Sequence, residues 1–197
     1  MNSERLKKQI DFVVEIDKLK HILRRTYIMD NSRHENDAEH SWHLAIMTLL
    51  FSEYAKQKKI DILHVVKMVL IHDIVEIDAG DTFCYDEQGQ KERLKKERKA
   101  AERLFSILPE DQTQGFRALW EEFEERKTPE AHFAASLDRL QPLLHHYYTK
   151  GFAWKENSVT SDMVFDRNKH IEEGSPSLWK FAKDLIEESI KKGYLPK

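Results

Sequence analysis

Apolar residues recur along this chain at spacings of three and four, and nowhere in a convincing alternation. Leu6, Ile10 and Val13 fall on one row and Phe12, Ile16, Leu19 and Ile22 on the next, which predicts an amphipathic helix over about 4–22. Residues 23–37, LRRTYIMDNSRHEND, break the period and read as a loop. Asp37 can cap a helix over about 38–57 that is apolar on most sides and therefore central. Asp61 can cap another over about 61–76, where Ile62, Val65, Val66, Val69, Leu70 and Ile71 cluster. Residues 77–88 contain Gly80 and several turn formers and read as a loop. The spacing predicts further helices over about 89–107, 110–126, 129–149, 160–172 and 176–191. Pro109 and Pro129 suit helix starts, whereas Pro142 falls inside a helix and should kink it. No strand-length window carries period-two alternation, so the expected class is all-α, a compact bundle.

Composition narrows the picture. The 197 residues fit one domain, 1–197, and neither a repeat nor a linker-like stretch divides them. With Lys+Arg 32 against Asp+Glu 35 the net charge is -3, which excludes a basic chain that coats nucleic acid but allows a local basic pocket. Cys84 is the sole cysteine, so no intrachain disulfide forms and a reducing compartment is expected. The N-terminus lacks a signal-peptide h-region, and the apolar run LAIMTLLF (44–51) falls far short of the roughly 18 residues of a membrane span. The expectation is a cytoplasmic protein with neither nucleic-acid nor membrane partners.

Four residues at three distant places carry the candidate chemistry: His40 in NDAEHSWH, His72 and Asp73 in VLIHDIVEIDAGD, and Asp138 in ASLDRLQPLL. Each has strongly apolar neighbours. A buried ionised aspartate costs several kcal/mol unless it is paired or metal-bound. Two imidazoles and two carboxylates converging on one divalent cation solve the problem for all four, and such ligands suit Mn, Fe, Co, Ni or Zn. Plain readings serve elsewhere. His43 is core or supports a ligand, and His145 and His146 are packing or helix-end residues. Trp42, Trp120, Trp154 and Trp179 are core or interface. Cys84 is an ordinary loop residue, and the acidic run 121–126 is a solvated face.

The ordered pattern H…HD…D resembles the HD-domain metal-dependent phosphohydrolases. RHENDAEHSWH is similar to the R-x-E-N-x-x-E-H-S segment of their nucleotidase-like branch, which holds bacterial 5'-deoxynucleotidases and eukaryotic relatives. HDIVEIDAGD is similar to that branch's H-D-x-x-E-x-x-x-G-D, and LPEDQTQGFRALWEEFEERKTPEAHFAASLDRL to a third stretch. The resemblance covers about residues 15–145. It implies an HD-domain helical bundle with a C-terminal helical extension, a homodimer, and one divalent metal ion on His40, His72, Asp73 and Asp138. The implied activity is hydrolysis of a phosphate monoester, with a nucleoside monophosphate as the small-molecule substrate.

Roles follow residue by residue. Glu76 lies four residues from His72 and three from Asp73, so it faces the same side as a general acid or base. Gly80 permits a sharp turn that brings Asp81 to the mouth of the site as a second catalytic and substrate-facing carboxylate. Arg25 matches the family's phosphate-orienting arginine and Arg33 another recurring one; Arg24 reads as a solvated loop residue. Asp73, Thr26 and Thr82 complete the implied substrate contacts. Thr26 replaces the tryptophan that the bacterial enzymes place at the sugar, and TFCYDEQGQ replaces their Pro-rich loop, so preference for 2'-deoxyribose is not implied. A catalytically silent nucleotide- or partner-binding module, or a hydrolase of another phosphate ester, are the alternatives; an intact Glu76 beside four ligands favours the enzyme.

Overall fold

The computed structural model describes residues 3–197, the side chain of Glu87 excepted. Helix α1 (Ser3–Ile16) runs into a 3-10 turn (Asp17–His21), so the period read over 4–22 spans two elements. The segment expected as a loop is instead a hairpin of β1 (Leu23–Tyr27) and β2 (His34–Asn36), antiparallel, with Leu23 opposite Asn36 and Tyr27 opposite His34. Four residues of β1 span two of β2, so the pairing is irregular between these points. β1 hides no apolar stripe, because its inward positions are Arg24 and Thr26.

Helix α2 (Asp37–Phe51) follows directly. Its cap is Asn36 and not Asp37: the Asn36 side chain accepts from the Glu39 N–H, and Glu39 reaches back to the Asn36 N–H. Asp37 is thereby the first helical residue and fully buried. Helix α3 (Ile62–Ile71) is capped by Asp61 as expected, but it ends at Ile71; a tight turn over 72–75 precedes the single turn α4 (Glu76–Ala79). Then come α5 (Glu87–Phe105), α6 (Glu110–Glu125), α7 (Pro129–Tyr148) and the short α8 (Phe152–Glu156), which the apolar period did not reveal. The helix expected over 160–172 is broken into α9 (Ser161–Asn168) and α10 (Ile171–Gly174), and α11 (Pro176–Lys191) closes the chain. Pro142 sits inside α7, which continues through it.

Two apolar clusters hold these elements. One centres on α7, with Phe133, Leu137 and Leu140 against Leu44 of α2, Val65 and Met68 of α3, and Ile171 and Ile186. The other joins α1 to α5 and α6 through Phe12, Leu104, Phe105 and Trp120. Val69 belongs to the first and Ile71, Ile74 and Val75 to the second, so the turn at 72–75 lies on the seam between them. Along α11, Leu178, Leu185 and Ile186 are buried within the chain, and Phe181, at 49% exposed, faces out. Among the described residues no helix is long and apolar enough to cross a membrane.

Candidate active site

At that seam the three distant segments meet. His40 stands in the first turn of α2, His72 caps the end of α3, Asp73 follows it, and Asp138 comes from the middle of α7. His40 Nε2 lies 3.0 Å from Asp138 Oδ1 and 3.9 Å from Asp73 Oδ2. His72 Nε2 lies 3.0 Å from Asp73 Oδ1 and 3.8 Å from Asp138 Oδ1. His40, His72 and Asp73 are all buried, and each offers one ligand atom within 4.8 Å of the others.

The outer edges of both rings settle their tautomers. His72 Nδ1 is 2.9 Å from the Val69 carbonyl, which can only accept, so Nδ1 carries the hydrogen. His40 Nδ1 is 3.1 Å from Gln141 Oε1. The Gln141 amide is itself oriented, because its Nε2 donates to Glu35 Oε1 at 2.6 Å and to His145 Nε2 at 2.9 Å. With the hydrogen on Nδ1, each ring turns its Nε2 toward carboxylate oxygens, an arrangement that needs a proton or a cation between them. His72 Nε2 is buried and makes no hydrogen bond. Two such nitrogens and two carboxylates fit one divalent ion of the Mn–Zn series.

Titration follows from the same packing. Burial, aided by the charge of Arg24, pushes His40 down to about 4. Burial also pulls on His72, but Asp73 and Asp138 outweigh it and raise the ring to about 9. Burial alone would raise Asp138; its hydrogen bond with His40 and the nearby His72 ring hold it well below the ordinary carboxylate range instead.

Around this cluster the carboxylates crowd. Glu76 is buried, one Oε2 has no partner, and burial together with Asp73, Asp37 and Asp81 raises its pKa well above the usual value. Asp81 follows Gly80, whose φ of 76 makes the anticipated turn; burial raises Asp81 while Arg24 pulls it back. Arg24 is not a solvated loop residue: its side chain is 14% exposed and its Nη1 donates to Asp73 Oδ2 at 2.9 Å and Asp37 Oδ1 at 3.1 Å. Strand geometry explains this, since Arg24 and Thr26 point inward and Arg25 outward.

One cavity opens onto the cluster. Arg25, Thr26, Asp73, Glu76, Asp81 and Thr82 all line it. Arg33 does not line it; it is exposed and bidentate to Glu39 at 2.7 and 2.8 Å, where it steadies the start of α2. The acidic run is not wholly solvated either, because Glu124 faces the cavity and pairs with Arg93 at 2.6 Å, while Glu97 takes the other side of the same guanidinium at 2.9 Å. Cys84 is a half-buried wall residue, and burial pushes its thiol up.

Several participants had weak sequence signals. Glu35 lies in the polar run SRHEND and Gln141 between Leu140 and Pro142, and both become visible only once α7 packs on α2. Asn36-x-x-Glu39 was a readable capping box that would have freed Asp37 for the site. Arg126, Arg139 and Arg167, also in the cavity wall, come from three helices and share no local pattern.

The chain matches the HD domain family model over residues 16–179. It is 27% identical over 136 residues to the human 5'-deoxynucleotidase HDDC2, a match that covers 68% of this chain and 65% of that protein. The corresponding Xenopus laevis protein is 28% identical over 139 residues, 70% of this chain and 67% of that protein. The matched region thus spans about two thirds of these relatives' length. A solved structure from Magnetospirillum magnetotacticum, described as a predicted metal-dependent phosphohydrolase, superposes with a TM-score of 0.94 at 53% identity, covering 98% of this chain and 96% of that one. A conserved hypothetical protein of Pyrococcus furiosus gives a TM-score of 0.66 at 26% identity, with 92% and 99% covered.

Proposed function

The chain belongs to the HD domain family, and from that membership and the cavity's chemistry we propose that it is a metal-dependent 5'-nucleotidase, releasing orthophosphate from nucleoside monophosphates. The carrying observation is the pair of imidazole Nε2 atoms turned toward Asp73 and Asp138 beside the buried Glu76, whose pKa burial and the neighbouring acids push up. His40, His72, Asp73 and Asp138 would hold one divalent ion, which supplies Lewis-acid polarisation of the phosphoryl group and acidifies water. Mn, Fe, Co, Ni and Zn all suit the donors.

The chain's own side chains do the rest. Arg25 reaches over the cavity from the outer face of β1 and binds phosphate oxygens. As the phosphorus–oxygen bond to the nucleoside breaks, Glu76 passes its proton to the departing oxygen; water completes the phosphate. Asp81, Thr26 and Thr82 face the sugar. Arg24 neutralises Asp37 and Asp73, so that an incoming dianion meets a balanced wall.

The test is phosphate release from a panel of 5'-mononucleotides, with metal content checked. Glu76→Gln should keep the metal and lose roughly 10²–10⁴ in turnover. Arg25→Ala should lose both affinity and turnover, because a misaligned phosphate forfeits transition-state stabilisation. Unchanged turnover in Glu76→Gln would remove it from the mechanism.

The same reading gives a cytoplasmic enzyme with a small-molecule partner and no nucleic-acid or membrane partner, in keeping with one cysteine and a net charge of -3. It also gives a homodimer. Its face would be α2, where Trp42, Ile46 and Leu49 form an exposed stripe at helical spacing and Trp42 is 63% exposed. Light scattering should return twice 23.4 kDa; the monomer mass would overturn the dimer.

A further inference from the structure

The arginines of the cavity fall into two kinds. Arg24 and Arg93 are each gripped by two carboxylates. Arg126, Arg139 and Arg167 are not: among the described residues none of their guanidiniums has an ion-pair or side-chain hydrogen-bond partner, although all three line the wall. Arg139 is 8% exposed and its Nε is buried without a partner, and the same is true of the Arg126 Nε. Arg126 adopts a left-handed φ of 51 at the C-cap of α6, a conformation that non-glycine residues rarely take. The acids whose charge reaches Arg139 are otherwise engaged, Asp138 by His40 and Glu173 by His132 and His170. Arg126 and Arg167 repel Arg139. Three cations drawn from three helices into one wall, with donors left unmade, are arranged for an anion.

In the proposed mechanism the reacting phosphate is already provided for by Arg25. We propose that Arg126, Arg139 and Arg167 form a second anion subsite, and that the substrate is a phosphomonoester bearing a further phosphate group. The substrate class rests on the phosphomonoesterase reading; the subsite does not.

Inorganic phosphate, titrated calorimetrically into the metal-loaded full-length protein, separates the two. Wild type should bind two phosphates per chain, and Arg167→Gln and Arg126→Gln should each bind one, or the second at least tenfold more weakly. Both residues are half-buried, so the variants avoid the risk of deleting the buried Arg139, and circular dichroism checks their fold. In turnover, a nucleoside 3',5'-bisphosphate or a nucleoside 2',5'-bisphosphate should exceed the 5'-monophosphate at least tenfold in kcat/KM, with the advantage collapsing toward one in Arg167→Gln. Whichever is preferred tells where the second phosphate is attached. One phosphate per chain in wild type, or a second that ignores both substitutions, overturns the subsite; equal use of all three esters overturns the substrate class. Two phosphates, one lost in Arg167→Gln, with no ester hydrolysed, would keep the subsite and reject the phosphomonoesterase reading.

Discussion

Arg24 stands among carboxylates on every side. It donates to Asp37 and Asp73, its Nε is 3.9 Å from Glu35 Oε2, and the charges of Asp81 and Glu76 also act on it. Burial alone would ease the proton off such a guanidinium, yet the surrounding acids hold it on. Arg24→Met would leave Asp37 and Asp73 buried without their counter-charge, which costs about 3–5 kcal/mol. Urea unfolding should show that loss, and a change under 1 kcal/mol would mean that the acids simply take up protons. Residues of this kind also mark the limit of reading a sequence. His40, His72, Asp73 and Asp138 were legible because charged groups in apolar segments demand partners. Arg24 was not, because consecutive arginines in LRRTY look solvated until the strand's alternation turns one of them inward.

Among the elements, α7 does most to shape the site. It presents Asp138 and Arg139 to the cavity and Gln141 to His40. Pro142 has no N–H, so the Asp138 carbonyl lacks its usual partner one turn on. Its other face is pinned by α10: a Cβ on Gly174 would lie 2.3 Å from the His132 carbonyl and 2.4 Å from Ser136 Oγ. Gly174→Ala should therefore push α10 off α7 and cost about 1–3 kcal/mol. A thermal melt should fall by several degrees; an unchanged midpoint would show that the two helices part freely. Helix existence was readable from the three-and-four spacing of apolar residues. The break between α9 and α10 was not, since neither a glycine nor a proline lies within residues 160–172 to mark it.

At the scale of the whole molecule, two buried histidines make the fold sensitive to acid. His146 packs on Trp154 with ring centroids 4.7 Å apart, and burial pushes it down to about 3; burial pushes the neighbouring His145 to about 4. An unfolded chain holds these rings near their ordinary 6.5. At these two sites the unfolded state therefore binds more protons below pH 6.5, so their contribution to stability is complete above that value and falls as the pH drops toward 3. Between pH 6.5 and 5 a single such group costs about 2 kcal/mol. His146→Phe should remove that much of the acid sensitivity, measured as the difference between urea unfolding at pH 7 and pH 5. Equal losses in wild type and variant would place the proton uptake elsewhere.

His40 and Asp138 are 98 residues apart, and His72 and Asp73 come from between them. No stretch of unfolded chain can gather that set, so an ion bound there favours the folded state alone. At a thousandfold excess over its dissociation constant it would add about 4 kcal/mol. Such a clasp draws cellular metal supply into the lifetime of the protein: starved of the ion, the chain would open more often, and proteases would meet it before any substrate did.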